Sequence, residues 1–128
     1  TSQALIDSRQ VDFLDLSLWD CFKEPEEEQY KGRSLLDWFT ELDRKDVRVG
    51  PAGKLRGPSD VLRVIEADYD FVLLGRAAIL HHNFPQRMSS EGAFEPAKLP
   101  VSPAYLRDEG LSDGFVDYMR NWKGFVTE

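Results

Sequence analysis

Two glycine-containing turns, each joined to a basic residue, are the parts of this sequence best suited to chemistry. Gly53 and Lys54 lie in "VGPAGKLRG", and Gly75 and Arg76 lie in "DFVLLGRAAIL". Glycine lets an anion approach the backbone closely, and free N–H groups at the start of a helix can donate to it. Arginine adds a forked cation that stays charged. The two turns together indicate a phosphate-binding site.

A purely structural interpretation of the second turn stays open. Gly75 could only turn the chain, and Arg76 could pair with a surface carboxylate. Dipeptides of this kind are common in any sequence, so the argument depends on both turns following consecutive strands.

The elements that must position these turns alternate along the first 86 residues. Alternating apolar and polar residues predict a strand over 11–18, and a second short strand is predicted from Val47 to about Gly50. The apolar run Phe71–Leu74 is typical of a strand buried between helices in a parallel sheet. A helix is predicted between each pair of strands, and another follows Gly75.

Start signals support the two connecting helices. Ser34 and Asp37 resemble a capping box, and Pro58 occupies a favoured first helical position. The apolar faces predicted for these helices are Leu35, Leu36, Phe39 and Leu42 in the first, and Val61, Leu62 and Ile65 in the second.

The pattern changes beyond Pro85. An irregular segment containing Pro96, Pro100 and Pro103 is predicted first, followed by two short helices, the second capped by Ser112. The amphipathic face predicted for the last helix consists of Phe115, Tyr118, Met119 and Trp122.

Three parallel strands with crossover helices leave both sheet edges open, which suggests that the sheet continues elsewhere. The predicted fold class is therefore α/β, the C-terminal portion (about strands 6–8) of a (β/α)₈ TIM barrel with a helical C-terminal tail. Such a barrel needs about 250 residues, and the chain has 128. Residues 1–86 are assigned to βα units, and residues 87–128 to the irregular segment and the tail.

Composition excludes several classes of protein. The net charge of −7 argues against a nucleic-acid surface, and no apolar run is long enough for a membrane span. The single cysteine, Cys21, cannot form an internal disulfide, which suits a reducing compartment and predicts a cytoplasmic protein. A chain that begins at Thr1 without methionine is expected to be part of something longer.

The other candidate residues favour structural roles. His81 and His82 would point about 100° apart on a helix, so no shared metal is predicted and both are expected at the surface. Cys21 has no neighbouring histidine, so a catalytic thiol is not favoured. Asp15 and Asp20 could act as acids or bases but lack a visible partner, and the run "EPEEEQ" is expected to be a solvated loop.

The stretch "GKLRGPSDVLRVIEADYDFVLLGRAAILHHNFP" resembles the C-terminal end of the Old Yellow Enzyme and NADH:flavin oxidoreductase family. In that family a glycine pair is followed by "IRTPEDA", a helix and "DFVALGR". The matching positions are Arg56, Pro58, Asp60, Asp70, Phe71, Val72, Leu74, Gly75, Arg76 and Pro85. The resemblance spans roughly residues 11–86.

The resemblance implies an FMN-dependent oxidoreductase that takes electrons from NADH or NADPH and reduces a small molecule such as an activated alkene. It implies an FMN phosphate bound by Gly53, Lys54, Gly75 and Arg76, with the Arg76 side chain near the flavin. Lys54 stands where the family usually has its second glycine, and Pro51 removes a backbone donor nearby.

The family takes its catalytic residues from earlier strands. They are therefore expected upstream of Thr1, together with the remainder of the barrel, and the isolated chain is expected to be inactive. Ser17 and Trp19 would line the barrel mouth, although capping and packing roles are equally open for them. A homo-oligomer is possible through the aromatic tail.

Two alternative functions remain from the sequence alone. One is a barrel enzyme that binds a sugar phosphate through the same turns without redox chemistry. The other is an acidic interaction module without catalysis.

Overall fold

The structure is a computed structural model that describes residues 1–128. It consists of short helices and one small parallel sheet. The strands are β1 (Phe13–Ser17) and β2 (Arg48–Ala52), and the helices are α1 (Ser2–Asp7), α2 (Leu35–Phe39), α3 (Pro58–Glu66), α4 (Arg76–Leu80), α5 (Phe84–Glu91), α6 (Pro103–Asp108) and α7 (Asp113–Met119). A single 3₁₀ turn covers Glu28–Tyr30. The chain is thus an α/β protein. None of its helices combines the length and apolar character needed to cross a bilayer.

The chain forms two compact units. The first unit comprises Thr1–Leu55 and Ser59–Leu74, and the second comprises Arg56–Pro58 and Gly75–Glu128. The boundary between the two units falls after Leu74. The boundary predicted from the sequence lies after residue 86, which is inside α5.

The sheet of the first unit is parallel, as predicted. Phe13 of β1 pairs with Arg48 of β2, and the register continues to Ser17 opposite Ala52. Both strands fall close to their predicted bounds. Pro51, expected in the loop after the strand, lies inside β2 and is buried.

The third predicted strand is reduced to an isolated bridge between Ala52 and Leu73. Asp70 forms hydrogen bonds with both backbone polar groups of Val49. The Asp70 N–H donates to the Val49 carbonyl (3.0 Å), and the Asp70 carboxylate accepts from the Val49 N–H (2.8 Å). The Asp70 side chain therefore replaces one backbone acceptor in the hydrogen-bond ladder between this segment and β2. The prediction that the run Phe71–Leu74 is buried is wrong, since Leu73 is 36% exposed and its neighbours are half-buried.

The core of the first unit lies on one face of the sheet. Leu16 and Val49 from the strands meet Leu36 of α2 and Val64 of α3, all at most 5% exposed. Burying side chains of this size contributes roughly 1.5–3 kcal/mol each, which fixes both helices on this face.

The opposite face of the sheet is only partly covered within the first unit. Phe13 is 64% exposed, and Asp15 and Ser17 on the same face are also exposed. The Phe71 ring lies over Gly50, where a Cβ would overlap it, and contacts the Phe13 ring edge-on with centroids 6.1 Å apart. Parallel sheets normally have both faces covered, so this face is unusual.

The capping box predicted from the sequence marks the start of α2. The Ser34 hydroxyl accepts from the Asp37 N–H at 3.1 Å, and the Asp37 carboxylate accepts from the Ser34 N–H, which completes the capping box. Of the face predicted for α3, Val61 is buried as expected, but Leu62 and Ile65 are 45% and 46% exposed, and Val64 is buried in their place.

The second unit has its own core, formed mainly by the tail. Leu106 of α6 and Val116 and Met119 of α7 are almost fully buried, together with Leu80, Val101 and Phe125. Ser112 caps α7 by accepting from the Phe115 N–H, as predicted. Two predictions are wrong here. Residues 87–91 continue helix α5, and Phe115 and Tyr118 are exposed rather than packed.

Candidate functional site

The turn at Gly53 is packed directly against the end of β1. Gly53 has φ +153°, and a Cβ there would lie 2.9 Å from both Asp20 N and Trp19 C. Its carbonyl accepts from the Cys21 N–H at 3.2 Å. Glycine is therefore required here by the close approach of two backbones within the first unit.

Lys54 is already paired with a carboxylate. Its ammonium lies 3.0 Å from Asp20 Oδ2, and its backbone has φ +48°. Desolvation alone would raise the pKa of Asp20, but hydrogen bonds from Lys54 and from the Phe22 N–H outweigh it and lower the pKa. The charge of Lys54 thus has a partner inside the protein.

Trp19 occupies a backbone conformation that bulky residues rarely adopt. Its φ is +61°, and the Asp20 N–H donates to the Leu18 carbonyl at 2.6 Å, which closes a three-residue γ-turn. The side chain is 70% exposed. Sequence reasoning found this residue but had no signal for its conformation.

Gly75 has open surroundings, in contrast to Gly53. It precedes α4 with φ −91°, and no atom would lie within 4 Å of a Cβ there. The first N–H groups of a helix have no carbonyl partner within the helix itself. The turn therefore has space for a group that approaches from outside.

Arg76 lies beside an aromatic ring of the second unit. Its guanidinium carbon is 4.9 Å from the centroid of Trp122, which is a cation–π distance. The residue itself is exposed. The ring orients the guanidinium without neutralising its charge. Arg76 therefore does not pair with a surface carboxylate, which was the alternative left open by the sequence.

His81 is buried, which contradicts its predicted surface position. It is 3% exposed, and its Nε2 accepts from the Ala97 N–H at 3.0 Å. Its Nδ1 lies 3.3 Å from the Tyr105 hydroxyl, which donates to the Leu80 carbonyl. Desolvation lowers the pKa of His81; Glu109 opposes this shift and Arg87 adds to it. The accepting Nε2 requires a neutral ring.

The remaining candidates have ordinary structural environments. The side chain of His82 is 62% exposed, and its Nδ1 lies 2.6 Å from Glu109 Oε2. Cys21 is fully buried, and desolvation first, with the charge of Asp20 second, raises its pKa to about 11, so its thiol stays protonated. The acidic run is exposed, as predicted, with Glu26 paired to Lys23 at 3.3 Å.

An open groove of about 340 Å³ lies next to the end of β1, lined by Ser17, Leu18, Lys23, Leu35 and Phe39 among others. No group of three or more His, Cys, Asp or Glu side chains is arranged to hold a metal ion. The candidate residues that the structure leaves exposed are Arg76 and the Trp19 indole.

The structure groups the predicted site residues by unit. Gly53 and Lys54 are joined to Asp20 and Trp19 in the first unit, whereas Gly75 and Arg76 belong to the second, with Trp122. No protein-family model, curated protein or solved structure matches this chain. The likeness to the Old Yellow Enzyme family stays a prediction from the sequence.

Proposed function

We propose that this chain is the FMN-phosphate-binding end of a (β/α)₈ oxidoreductase that takes electrons from NADH or NADPH and reduces a small acceptor such as an activated alkene. One observation carries the proposal. The segment Asp70–Leu74 runs parallel beside β2, bridges to it at Leu73, and leads directly into Gly75, Arg76 and α4. Strand, glycine turn and helix in this order are the usual context of a barrel phosphate site.

The second turn fits an anionic group. Gly75 has space around it, and Arg76 offers a permanent, forked cation whose partner is a ring rather than a carboxylate. Charge-assisted hydrogen bonds to a phosphate are about twice as strong as neutral ones. Gly75 and Arg76 are therefore proposed as the main phosphate contacts.

Gly53 and Lys54 are assigned a smaller part. The Lys54 ammonium is paired with Asp20, so it would have to share its charge with the phosphate. Bound FMN would supply the hydride chemistry, while the protein binds and orients it. We assign no catalytic residue within this chain.

The partly covered sheet face supports the barrel part of the proposal. Phe13, Asp15 and Ser17 alternate along an exposed face while the helices pack on the other. Barrel strands alternate in this way, with one face inward and the other against the helices. We propose that further βα units pair with β1 and cover this face, and that the substrate-binding residues come from them.

Colour tests the proposal. Full-length protein should be yellow, with the absorption band of oxidised flavin, and Gly75→Val and Arg76→Ala should each lower FMN retention at least tenfold. Arg107→Ala is the matched control, because Arg107 is an exposed arginine of the same unit paired with Asp113 at 2.6 Å. A colourless protein that binds a plain phosphate ester would favour the sugar-phosphate alternative and exclude the flavin.

A further inference from the structure

The strongest unexplained feature outside the phosphate turns is the indole of Trp19. It is 70% exposed, so it contributes little to the core of the first unit. At the same time its backbone has φ +61°, a region that a bulky side chain occupies only under constraint. Packing in the core therefore does not explain why a large aromatic side chain stands at this position.

The neighbouring backbone holds Trp19 in this conformation. Before it, the Leu18 N–H donates to the Ala52 carbonyl at 2.8 Å and extends the pairing with β2. After it, Asp20 is fixed by Lys54 and Cys21 by Gly53. Residues kept in rare conformations by such surroundings are concentrated at ligand sites.

The position of Trp19 fits a ligand site. It lies two residues beyond β1, at the carboxyl end of the parallel sheet, where open α/β sheets and barrels bind their ligands. The face of an indole carries negative charge density, so it attracts cations and electron-poor rings. Lys54, the cation of the adjoining turn, is already paired with Asp20.

We infer that Trp19 is a stacking residue for the planar, electron-poor ring of a ligand bound at the carboxyl end of the sheet. The inference rests on the proposed function for the choice of ring, which is either the oxidised flavin or the oxidised nicotinamide, NAD⁺, that the electron donor leaves as product. No bond forms or breaks at the indole, so Trp19 positions the ring and takes no part in electron transfer.

Affinities of the full-length protein, measured by calorimetry, test this stacking role. The probes are riboflavin, which carries the ring without the phosphate, together with FMN, NAD⁺ and inorganic phosphate. Trp19→Leu should weaken binding of the stacked ring about tenfold, whereas Trp19→Phe, which keeps a planar ring, should weaken it less than threefold. Inorganic phosphate should bind all variants equally.

Tyr118→Leu is the matched control, because Tyr118 is an exposed aromatic residue of α7, in the second unit. It should leave all four affinities unchanged. Equal thermal midpoints for wild type and Trp19→Leu would show that the variant is folded.

The outcomes separate this inference from the proposed function. Loss of riboflavin and FMN binding in Trp19→Leu identifies the flavin ring, and loss of NAD⁺ binding alone identifies the oxidised nicotinamide. If FMN binding depends on Arg76 but all ring affinities stay within twofold in Trp19→Leu, the stacking role is overturned and the proposed function stands. If FMN does not bind but NAD⁺ binding depends on Trp19, the stacking role stands and the proposed function is overturned. If no ring ligand binds the wild type, both the stacking role and the proposed function are overturned.

Discussion

The two glycine turns look alike in the sequence and differ in the structure. Gly53 lies against the backbone of Trp19 and Asp20, and the adjacent Lys54 is neutralised by Asp20. Gly75 has open space around it, and the adjacent Arg76 keeps its charge over an aromatic ring. A glycine can therefore serve the protein's own packing or leave room for a ligand, and the space around the absent Cβ distinguishes the two cases.

The largest expected difference between the turns is in stability. Gly53→Ala should lower the free energy of unfolding by about 3 kcal/mol, because the new Cβ meets backbone atoms and the φ is unfavourable. Gly75→Ala should change it by less than about 0.5 kcal/mol. Urea unfolding of both variants measures this contrast, and equal losses would show that packing does not distinguish the turns.

The regions around the two turns should also respond to acid at different pH. His81 has a lowered pKa in the folded protein, so its contribution to stability is complete above about pH 6.5 and falls as the pH drops below that value. Asp20 also has a lowered pKa, so its contribution persists until the pH falls below about 4. Between pH 7 and 5, only the second unit should lose protection.

Amide hydrogen exchange measures this difference, with the Ala97 N–H as the reporter in the second unit and the Cys21 N–H in the first. His81→Gln should remove the response of Ala97 between pH 7 and 5. His82→Gln is the control, because its exposed ring makes no contact with Ala97, and it should retain the response. Simultaneous loss of protection at both amides would contradict the assignment.

Strain in the first turn predicts a stabilising substitution. Trp19→Gly should raise the free energy of unfolding by about 1 kcal/mol, since glycine adopts positive φ without the penalty of a side chain. Ser17→Gly, in the extended backbone of β1, should instead lower it by roughly 0.5–1 kcal/mol. Thermal unfolding gives both values, and a destabilised Trp19→Gly would mean that the indole contributes to folding.

The smallest expected effect concerns the ion pair of the first turn. Lys54→Ala should cost less than about 1 kcal/mol, because partly exposed ion pairs contribute little. It should also raise the pKa of Asp20, which loses its hydrogen-bond donor. NMR titration of the Asp20 carboxyl, with Lys45→Ala as a surface control, measures the shift. An unchanged pKa would mean that the Phe22 N–H alone keeps the pKa of Asp20 low.

The parts of the fold set by nearby residues could be predicted from the sequence. Ser34 and Asp37 lie within one turn of helix, Ser112 caps the helix that it precedes, and Pro58 starts α3. Each depends on backbone groups at most four residues away. Local rules apply to them whatever the rest of the chain does.

The incorrect predictions concern features that depend on residues far away in the sequence. The third strand is reduced because Asp70 bonds to Val49, and His81 is buried because Ala97 and Phe94 come from a later segment. Lys54 finds its partner 34 residues earlier in the chain, at Asp20. The two candidate turns could be located by their residue types, but what each turn contacts depends on such pairs.

The buried Cys21 has a practical consequence. It is the chain's one cysteine, it is fully enclosed in the first unit, and its raised pKa of about 11 leaves almost no thiolate at neutral pH. A thiol reagent can therefore modify the native protein only when this region opens. The rate of Cys21 modification thus measures how often the first unit opens, in the wild-type protein and without any added label.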